Sequence, residues 1–374
     1  MNTKNVFTKS LLMCGLIISV SCGTENDSPD CVVLSPETYT FEINESSTIS
    51  YSGQTARLQM GAEISSALSN PNTTEAMLNG MFDHQSGNSD FSDANLNVSS
   101  KQIKSKTAGY QTEVNKLHIH NQIETWFNDY ATNVAPAIAN GTMAAPGVAG
   151  MVSNRELNAK GMEHDQIIIK SLIGALCLDQ VVNGYLSDAK IGDAVNNIDR
   201  DPNEDDNATA MEHHWDEGFG YVYGMVEGNT TGDLSTDIFL GKYLNKFEDY
   251  KLTVYDAFKM GRQAIVDGCS EERDRQAQII KETLSKVVAA KAESYLREAA
   301  AATDLSADYF HGLSEGYGFI LSLQFTYTED GNPYFTHSEV NSMLNQLESG
   351  NGFWDRTDAE LIQMADAINA VTGL

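Results

Sequence analysis

The chain has 374 residues, 41% of them apolar and only 7 of them proline, which is enough to bury one large core or two of ordinary size. Its 52 acidic residues against 24 basic ones give a formal charge of -28. Such an acidic surface repels phosphate backbones and anionic lipid, so we expect no nucleic acid partner.

The N-terminus has the pattern of a bacterial lipoprotein leader. Lys4 and Lys9 precede an apolar run, Leu11 to Val20, that is too short to remain across a bilayer. Small residues follow, and the run ends at Cys22. We therefore predict a signal peptide over residues 1–21, after which Cys22 is acylated and becomes the mature N-terminus.

The predicted leader has consequences for location and charge. Removing residues 1–21 takes away two lysines and no acid, so 52 acids against 22 bases leave a charge of -30. Residues 22–36 are polar and contain proline, which predicts a flexible tether. We expect an outer-membrane lipoprotein, held in the bilayer through acylated Cys22, on the periplasmic face or the cell surface.

The remaining chain is predicted to be helical after a short start. Residues 39–43 alternate apolar and polar, which indicates a strand, and Ile49 and Tyr51 are expected to pair back as a hairpin. A turn is predicted at 52–55. Exposed loops are predicted at 83–100 and 140–150, where Gly, Ser and Asn are frequent. Apolar residues at helical spacing predict helices over about 58–68, 74–82, 112–130, 166–189, 256–266, 278–299, 336–347 and from the capping box Thr357-x-x-Glu360 onward.

Two segments of the chain resemble each other. The pattern His-x-x-x-Glu-Gly-aromatic-Gly-aromatic occurs at His213 to Tyr221 and again at His311 to Phe319. Each copy follows a long predicted helix, 166–189 or 278–299, and these two helices share Ile-Ile-Lys near the start and Tyr-Leu near the end. Because no alternation of strands and helices follows residue 51, the sequence predicts an all-α fold. It has two related, four-helix-bundle-like halves, about 52–228 and 236–374, with a pseudo-twofold repeat.

The repeated motif supplies the candidate metal ligands. Residues four apart lie on one face of a helix, so each copy points an imidazole and a carboxylate the same way. Such groups bind zinc or iron, but they also lock helices together through buried hydrogen bonds. The motif glycines are expected to mark close helix–helix contacts. The candidate ligands are His213, His214, Glu217, His311 and Glu315.

The sequence contains three weaker patterns beside the motif. His120 and Glu124 have the same spacing without the glycines, which favours a structural role. Asp199, Asp201, Asn203 and Asp205 match the first ligands of a calcium loop, but Glu204 and Ala210 break the pattern, so an acidic solvated loop is the better interpretation and weak calcium binding the alternative. Cysteines in an oxidising compartment leave open a disulfide between Cys177 and Cys269.

The leader, the two helical halves and the duplicated motif resemble the imelysin-like proteins of Gram-negative bacteria. More closely, the turn Tyr51 to Thr55, Lys106-Thr107-Ala108 and the motif itself resemble a lipoprotein family labelled domain of unknown function 4856, over about residues 37–372. The imelysin resemblance implies two four-helix bundles and an association with iron uptake. Its Gly-x-His-x-x-Glu marker has its nearest match at Glu212 to Glu217, where Glu212 stands in place of the glycine.

Three functions remain open from the sequence. The first is an anchored binding protein for iron, zinc or a haem-like ligand that uses the motif residues. The second is a non-catalytic structural or docking module that meets an outer-membrane receptor. The third is a metal-dependent peptidase, but the chain has no His-Glu-x-x-His, and we expect no catalytic activity.

Overall fold

Helices account for 60% of the protein and strands for 4%, which confirms the predicted all-α class. The computed structural model describes residues 31–200 and 207–374. Two units are distinguished, Met1–Val32 and Val33–Leu374, and every element below belongs to the second. The predicted leader, Cys22 and residues 22–30 of the predicted tether lie outside the described residues.

The helices follow one another with few interruptions. In chain order the α-helices are α1 (Ser52–Ala67), α2 (Glu75–Phe82), α3 (Ala94–Val98), α4 (Glu113–Asp129), α5 (Ala135–Ala139), α6 (His164–Leu172), α7 (Asp188–Ile191), α8 (Ala210–Tyr223), α9 (Leu240–Leu244), α10 (Glu248–Asp267), α11 (Ser270–Ala300), α12 (Ala307–Ser322), α13 (His337–Glu348) and α14 (Asp358–Thr372). Segments with π-helical geometry are Tyr130–Val134, Ile173–Leu178 and Gln180–Tyr185, and short 3-10 turns are Leu323–Phe325 and Gly352–Asp355.

The predicted N-terminal hairpin is present, but its return strand is closer than expected. Strand β1 (Glu42–Ile43) pairs antiparallel with β2 (Ser46–Ser47), so Ile49 and Tyr51 lie beyond it. Asn44 and Glu45 both have positive φ, 51° and 65°, which closes the chain in two residues. A two-residue turn of this hand matches the twist of the flanking strands and fixes the register.

A second hairpin was not predicted. Strand β3 (Gly150–Val152) pairs antiparallel with β4 (Arg155–Leu157) at the end of the predicted break. Three residues per strand are too few for the period-two alternation to stand out in the sequence. The predicted turn at 52–55 is also wrong, because these residues form the first turn of α1 and Gln54 and Thr55 are buried there.

The long helix predicted over 166–189 is continuous from His164 to Tyr185 but changes geometry at Ile173, where α6 passes into the two π-helical segments. Residues 106–110 lie against this part. Ala108, at φ 52°, donates its backbone N–H to the Ala175 carbonyl (2.6 Å), and the Tyr110 N–H donates to buried Asp179 (3.0 Å). A backbone inserted beside a helix is one cause of such departures from α geometry.

The core of the molecule is built around α6, α11 and α12. Helix α11 packs along α10, α12 and α14, while α12 packs along α6. The long helix that precedes the first motif copy therefore lies against the helix that carries the second copy. The pseudo-twofold relation between two halves stays a prediction.

One helical segment among the described residues, His164–Tyr185, is long and apolar enough to cross a membrane by length and composition, with 94% of its apolar window buried in the fold. A core helix passes the same test, and burial of this kind is what a core helix requires.

Candidate functional site

The first motif copy occupies α8, whose start is fixed by a capping box. The Thr209 hydroxyl accepts the Glu212 N–H, and the Glu212 carboxylate accepts the Thr209 N–H. The Glu212 carboxylate also accepts two hydrogen bonds from the Arg200 guanidinium, at 2.6 and 3.0 Å, and forms an ion pair with the Arg262 guanidinium at 3.1 Å. This residue, which stands where the imelysin marker has glycine, is thus fully engaged in holding the helix start.

His213 and Glu217 share one side of α8, with His213 Nε2 3.9 Å from Glu217 Oε2. The other carboxylate oxygen of Glu217 accepts the Tyr185 hydroxyl at 3.0 Å and the Gln54 amide at 3.0 Å. Both members remain partly open to solvent, with side chains 33% and 21% exposed. Burial raises the pKa of Tyr185, and the Glu217 charge raises it further.

His214 points to other partners. Its Nδ1 donates to the Lys190 carbonyl at 2.8 Å, and its Nε2 lies 3.5 Å from the Lys190 ammonium. Burial lowers the pKa of His214, which keeps the imidazole neutral. The structure therefore ties this histidine to α7, rather than to the carboxylate three residues on.

Asp216 is a charged residue of this copy that no pattern in the sequence singled out. Its side chain is fully buried, forms an ion pair with the Arg262 guanidinium at 3.0 Å and accepts a hydrogen bond from the Tyr39 hydroxyl at 2.5 Å. Arg262, also fully buried, bridges Asp216 and Glu212 on the inner side of α8. A buried arginine needs such carboxylates, so the pair anchors α10 to α8.

The second motif copy lies on α12, but its His and Glu have different partners. His311 Nδ1 lies 2.6 Å from Glu163 Oε2, at the start of α6. Glu315 forms an ion pair with the Lys170 ammonium at 3.3 Å, and both members of this pair are buried. It also accepts a hydrogen bond from the Tyr243 hydroxyl at 2.8 Å. Burial alone would raise the pKa of Glu315, but Lys170 and the hydroxyls of Tyr295 and Tyr243 outweigh it and hold that pKa at about 2.

Although their other partners differ, the two copies share one contact. Tyr185 and Tyr295 occupy the matched Tyr-Leu positions of the two long helices, and each hydroxyl bonds the glutamate of the copy that follows it. The spacing of apolar residues does not predict this contact, but the Tyr-Leu pair repeated in the two long helices could have identified both tyrosines as site residues. The matched contact is local and does not by itself relate two halves.

Two of the motif glycines, Gly220 and Gly318, mark close approaches, as expected, whereas a Cβ at Gly218 would lie 3.5 Å from Tyr185 Cβ, an ordinary contact distance. A Cβ at Gly220 would lie 2.4 Å from Tyr51 Cβ, and one at Gly318 would lie 2.4 Å from Lys170 Cβ. These distances are well inside van der Waals contact, so a side chain at either position would have to separate the helices.

The weaker candidates occupy separate places. His120 Nε2 donates to the Thr107 carbonyl at 2.8 Å, whereas Glu124 pairs with Lys104 at 2.6 Å, an arrangement that supports a structural role. Asp199 is exposed at the edge of its loop, and the other three calcium candidates, Asp201, Asn203 and Asp205, lie outside the described residues. Among the described residues, no group of three or more His, Cys, Asp or Glu side chains is arranged to hold a metal ion.

The alternative of a disulfide between Cys177 and Cys269 is contradicted by the structure. Cys177 is a free, fully buried thiol in the π-helical segment, and Cys269 is disulfide-bonded. The apolar packing around Cys177 explains the difference, because it holds this side chain inside the core as a small hydrophobe.

Two surface cavities lie away from the motif copies. One, of about 380 Å³, is lined by residues 193–198 and by the start of α11, and the other, of about 340 Å³, lies between α4 and α13. Neither includes His213, Glu217, His311 or Glu315 in its lining.

Comparison with known proteins identifies the family of the chain. No curated protein and no solved structure matches the chain. A family model described as "Domain of unknown function (DUF4856)" matches residues 36–374, which include the hairpin, both long helices and both motif copies. The chain therefore belongs to the DUF4856 family.

Proposed function

We propose that the protein is a lipid-anchored, extracytoplasmic binding protein that holds a metal ion, iron or zinc, at the first motif copy. The predicted leader over residues 1–21, with Cys22 directly after it, supports a lipid anchor. The resemblance to imelysin-like proteins supports metal binding, since those proteins are associated with iron uptake. His213 and Glu217 are the two ligands in this proposal.

The observation that carries the proposal is the difference in exposure and charge between the two copies. His213 and Glu217 lie together and open to solvent, and the side-chain donors to Glu217 are the neutral groups of Tyr185 and Gln54. In the second copy, Glu315 is committed to a buried lysine and His311 to Glu163. Among the residues that the structure describes, Glu217 has no ion pair with an ammonium group, whereas Glu315 has one, so the first copy offers an entering cation the more available carboxylate.

The chemistry of the donors fits iron and zinc. Imidazole nitrogen and carboxylate oxygen suit both metals, and the Tyr185 hydroxyl lies 3.0 Å from the same carboxylate as a further oxygen donor. Because burial raises the pKa of Tyr185, this oxygen would bind only if the metal displaced its proton. Two side-chain ligands, or three with the Tyr185 oxygen, leave coordination positions open for water or a carried ligand.

The second candidate function is a structural or docking module that meets an outer-membrane receptor. It is favoured by the second copy, whose residues are occupied in contacts between α6, α9, α11 and α12. In that case both copies serve only to lock helices. A haem-like ligand and a metal-dependent peptidase have no observation of their own in their favour.

The test is metal content by mass spectrometry on the full chain, purified in detergent without chelator or affinity-tag metal. We expect close to one equivalent of iron or zinc per chain in the wild type. His213→Ala should lower it at least tenfold, because it removes one of few ligands. His311→Ala is the matched control, with the same change at the same motif position, and should retain the metal.

The two functions give different outcomes. If all three proteins are free of metal and do not bind iron or zinc in equilibrium dialysis, the metal proposal is rejected. A lower melting temperature in both histidine variants would then favour the docking module. Equal loss of metal in both variants would also contradict the assignment to the first copy.

A further inference from the structure

Four lysines converge on two buried tyrosines beside the second motif copy. The ammonium nitrogens of Lys170, Lys242 and Lys246 lie 5.7, 5.5 and 5.4 Å from the centroid of the Tyr243 ring. The Lys291 nitrogen lies 4.0 Å from the Tyr295 ring. We call these four side chains the lysine cluster; they come from α6, from α9 and the residues after it, and from α11.

The lysine cluster has little compensating charge. Within the described residues, only Lys170 forms an ion pair, with Glu315, and Lys291 donates to the Ser294 hydroxyl at 3.1 Å. Asp165, Glu298 and Glu315 are the acids that act on its two buried members. These three acids stand against four lysines, so one positive charge remains in excess at this point of a chain whose net charge is -28.

The lysine cluster has two buried members and two exposed members, and we call the exposed pair the rim. Lys170 and Lys291 are buried, 5% and 9% exposed, whereas Lys242 and Lys246 are exposed. Burial lowers the pKa of Lys291, and the charge of Lys246 lowers it further. Burial likewise lowers the pKa of Lys170, and the charge of Lys242 lowers it further. These like charges repel one another, and an anion beside them would relieve both the repulsion and the loss of hydration.

The geometry restricts the kind of anion. Ammonium groups on flexible stems act as point charges, and lysine is a common partner of phosphate. A long polyanion would have to lie across the surrounding acidic surface, which repels it. We propose that the lysine cluster binds a compact, phosphate-bearing anion with two or more negative charges. This site is separate from the metal proposed at His213 and Glu217.

Isothermal titration of the full chain in detergent with inorganic pyrophosphate tests the proposal. We expect saturable binding with one anion per chain in the wild type. Lys242→Ala/Lys246→Ala removes the exposed rim without removing a buried side chain and should weaken binding about tenfold or more, which corresponds to about 1.4 kcal/mol. Lys116→Ala/Lys251→Ala is the control, because it removes the same charge from two partly exposed lysines elsewhere.

The phosphate group could belong to a free anion or to a lipid headgroup, and glycerol 3-phosphate separates the two. Tighter binding of pyrophosphate indicates a free anion, and binding of glycerol 3-phosphate at least as tight indicates a headgroup. No saturable heat with either at millimolar concentration would overturn the proposal. Equal weakening in the rim variant and the control would overturn it too, since net charge alone would then explain the binding. Loss of metal in His213→Ala leaves these results unchanged.

Discussion

Glu217 and Glu315 occupy the same motif position but face different charges. A glutamine, Gln54, donates to Glu217, and a buried lysine, Lys170, pairs with Glu315. Each glutamate also accepts a hydrogen bond from the tyrosine of the preceding long helix. One position in a repeated motif thus supports an open carboxylate in one copy and a closed ion pair in the other, and the neighbouring residue decides which.

We expect Glu315→Gln to lower the free energy of unfolding by about 3 kcal/mol at pH 7, because it leaves the Lys170 ammonium buried without its counter-charge. The pKa of Glu315 is held at about 2, below the ordinary value of 4.5. The wild-type advantage is therefore full above pH 4.5 and is lost as the pH falls towards 2. Urea unfolding of both proteins at several pH values in this range measures the difference.

Glu217→Gln is the matched control for this prediction. Its carboxylate has neutral side-chain donors from Gln54 and Tyr185 and is partly exposed, so its loss should cost well under half as much. A Glu315→Gln protein as stable as the wild type at neutral pH would show that the buried pair contributes nothing net. A difference that persists unchanged in acid would show that Glu315 is not the group that titrates.

The same side-chain contacts decide how much of the molecule can be read from its sequence. Helices with regular apolar spacing and capping boxes were predicted because their signals are local, as at Thr357 and Glu360. The partner of His311 is Glu163, 148 residues away, and Arg262 meets Asp216 from another helix. No spacing in the chain reports such pairings, so the candidate residues were predicted but their partners were not.

At the scale of elements, α12 lies so close to α6 that Gly318 has no room for a side chain. A Cβ at Gly318 would lie 2.4 Å from Lys170 Cβ and 2.8 Å from the Ser171 nitrogen, whereas one at Gly312, earlier in the same helix, meets nothing closer than 3.9 Å. The two glycines have the same intrinsic cost in a helix but different surroundings.

We therefore expect opposite effects from one substitution at two positions of α12. Gly318→Ala should lower the free energy of unfolding by about 2 kcal/mol, because backbone atoms of α6 must move to admit the methyl group. Gly312→Ala should raise it by about 0.5 to 1 kcal/mol, because alanine is less costly in a helix and has space there. Chemical denaturation of both variants measures the pair, and a stabilising Gly318→Ala would show that the helices are not in contact there.

At the scale of the whole molecule, acidic residues outnumber basic ones by 52 to 24. Much of the basic charge is committed inside the fold, for example Arg262 between two carboxylates and Lys170 against Glu315. The acidic excess is thus left to repel itself across the surface. Such repulsion acts at long range and is weakened by salt, whereas buried pairs are screened much less.

We expect the melting temperature to rise when sodium chloride is increased from about 0.01 M to about 0.1 M, which shortens the Debye length from about 30 Å to about 10 Å. Calorimetry at pH 7 gives the change, and sucrose at matched osmolality controls for effects unrelated to charge. A melting temperature that falls with salt would mean that exposed ion pairs outweigh the repulsion.

The buried segment His164–Tyr185 also affects how the chain is made. A chain exported as we propose passes through the translocation channel unfolded, and there this segment has the length and composition of a stop-transfer sequence. Lys170 and Asp179 lie six residues inside its two ends, and each charge near the middle of a membrane helix costs about 2.5 to 3.5 kcal/mol to insert. The two residues that bond α6 and its continuation to the rest of the core would therefore keep the nascent chain from lodging in the inner membrane.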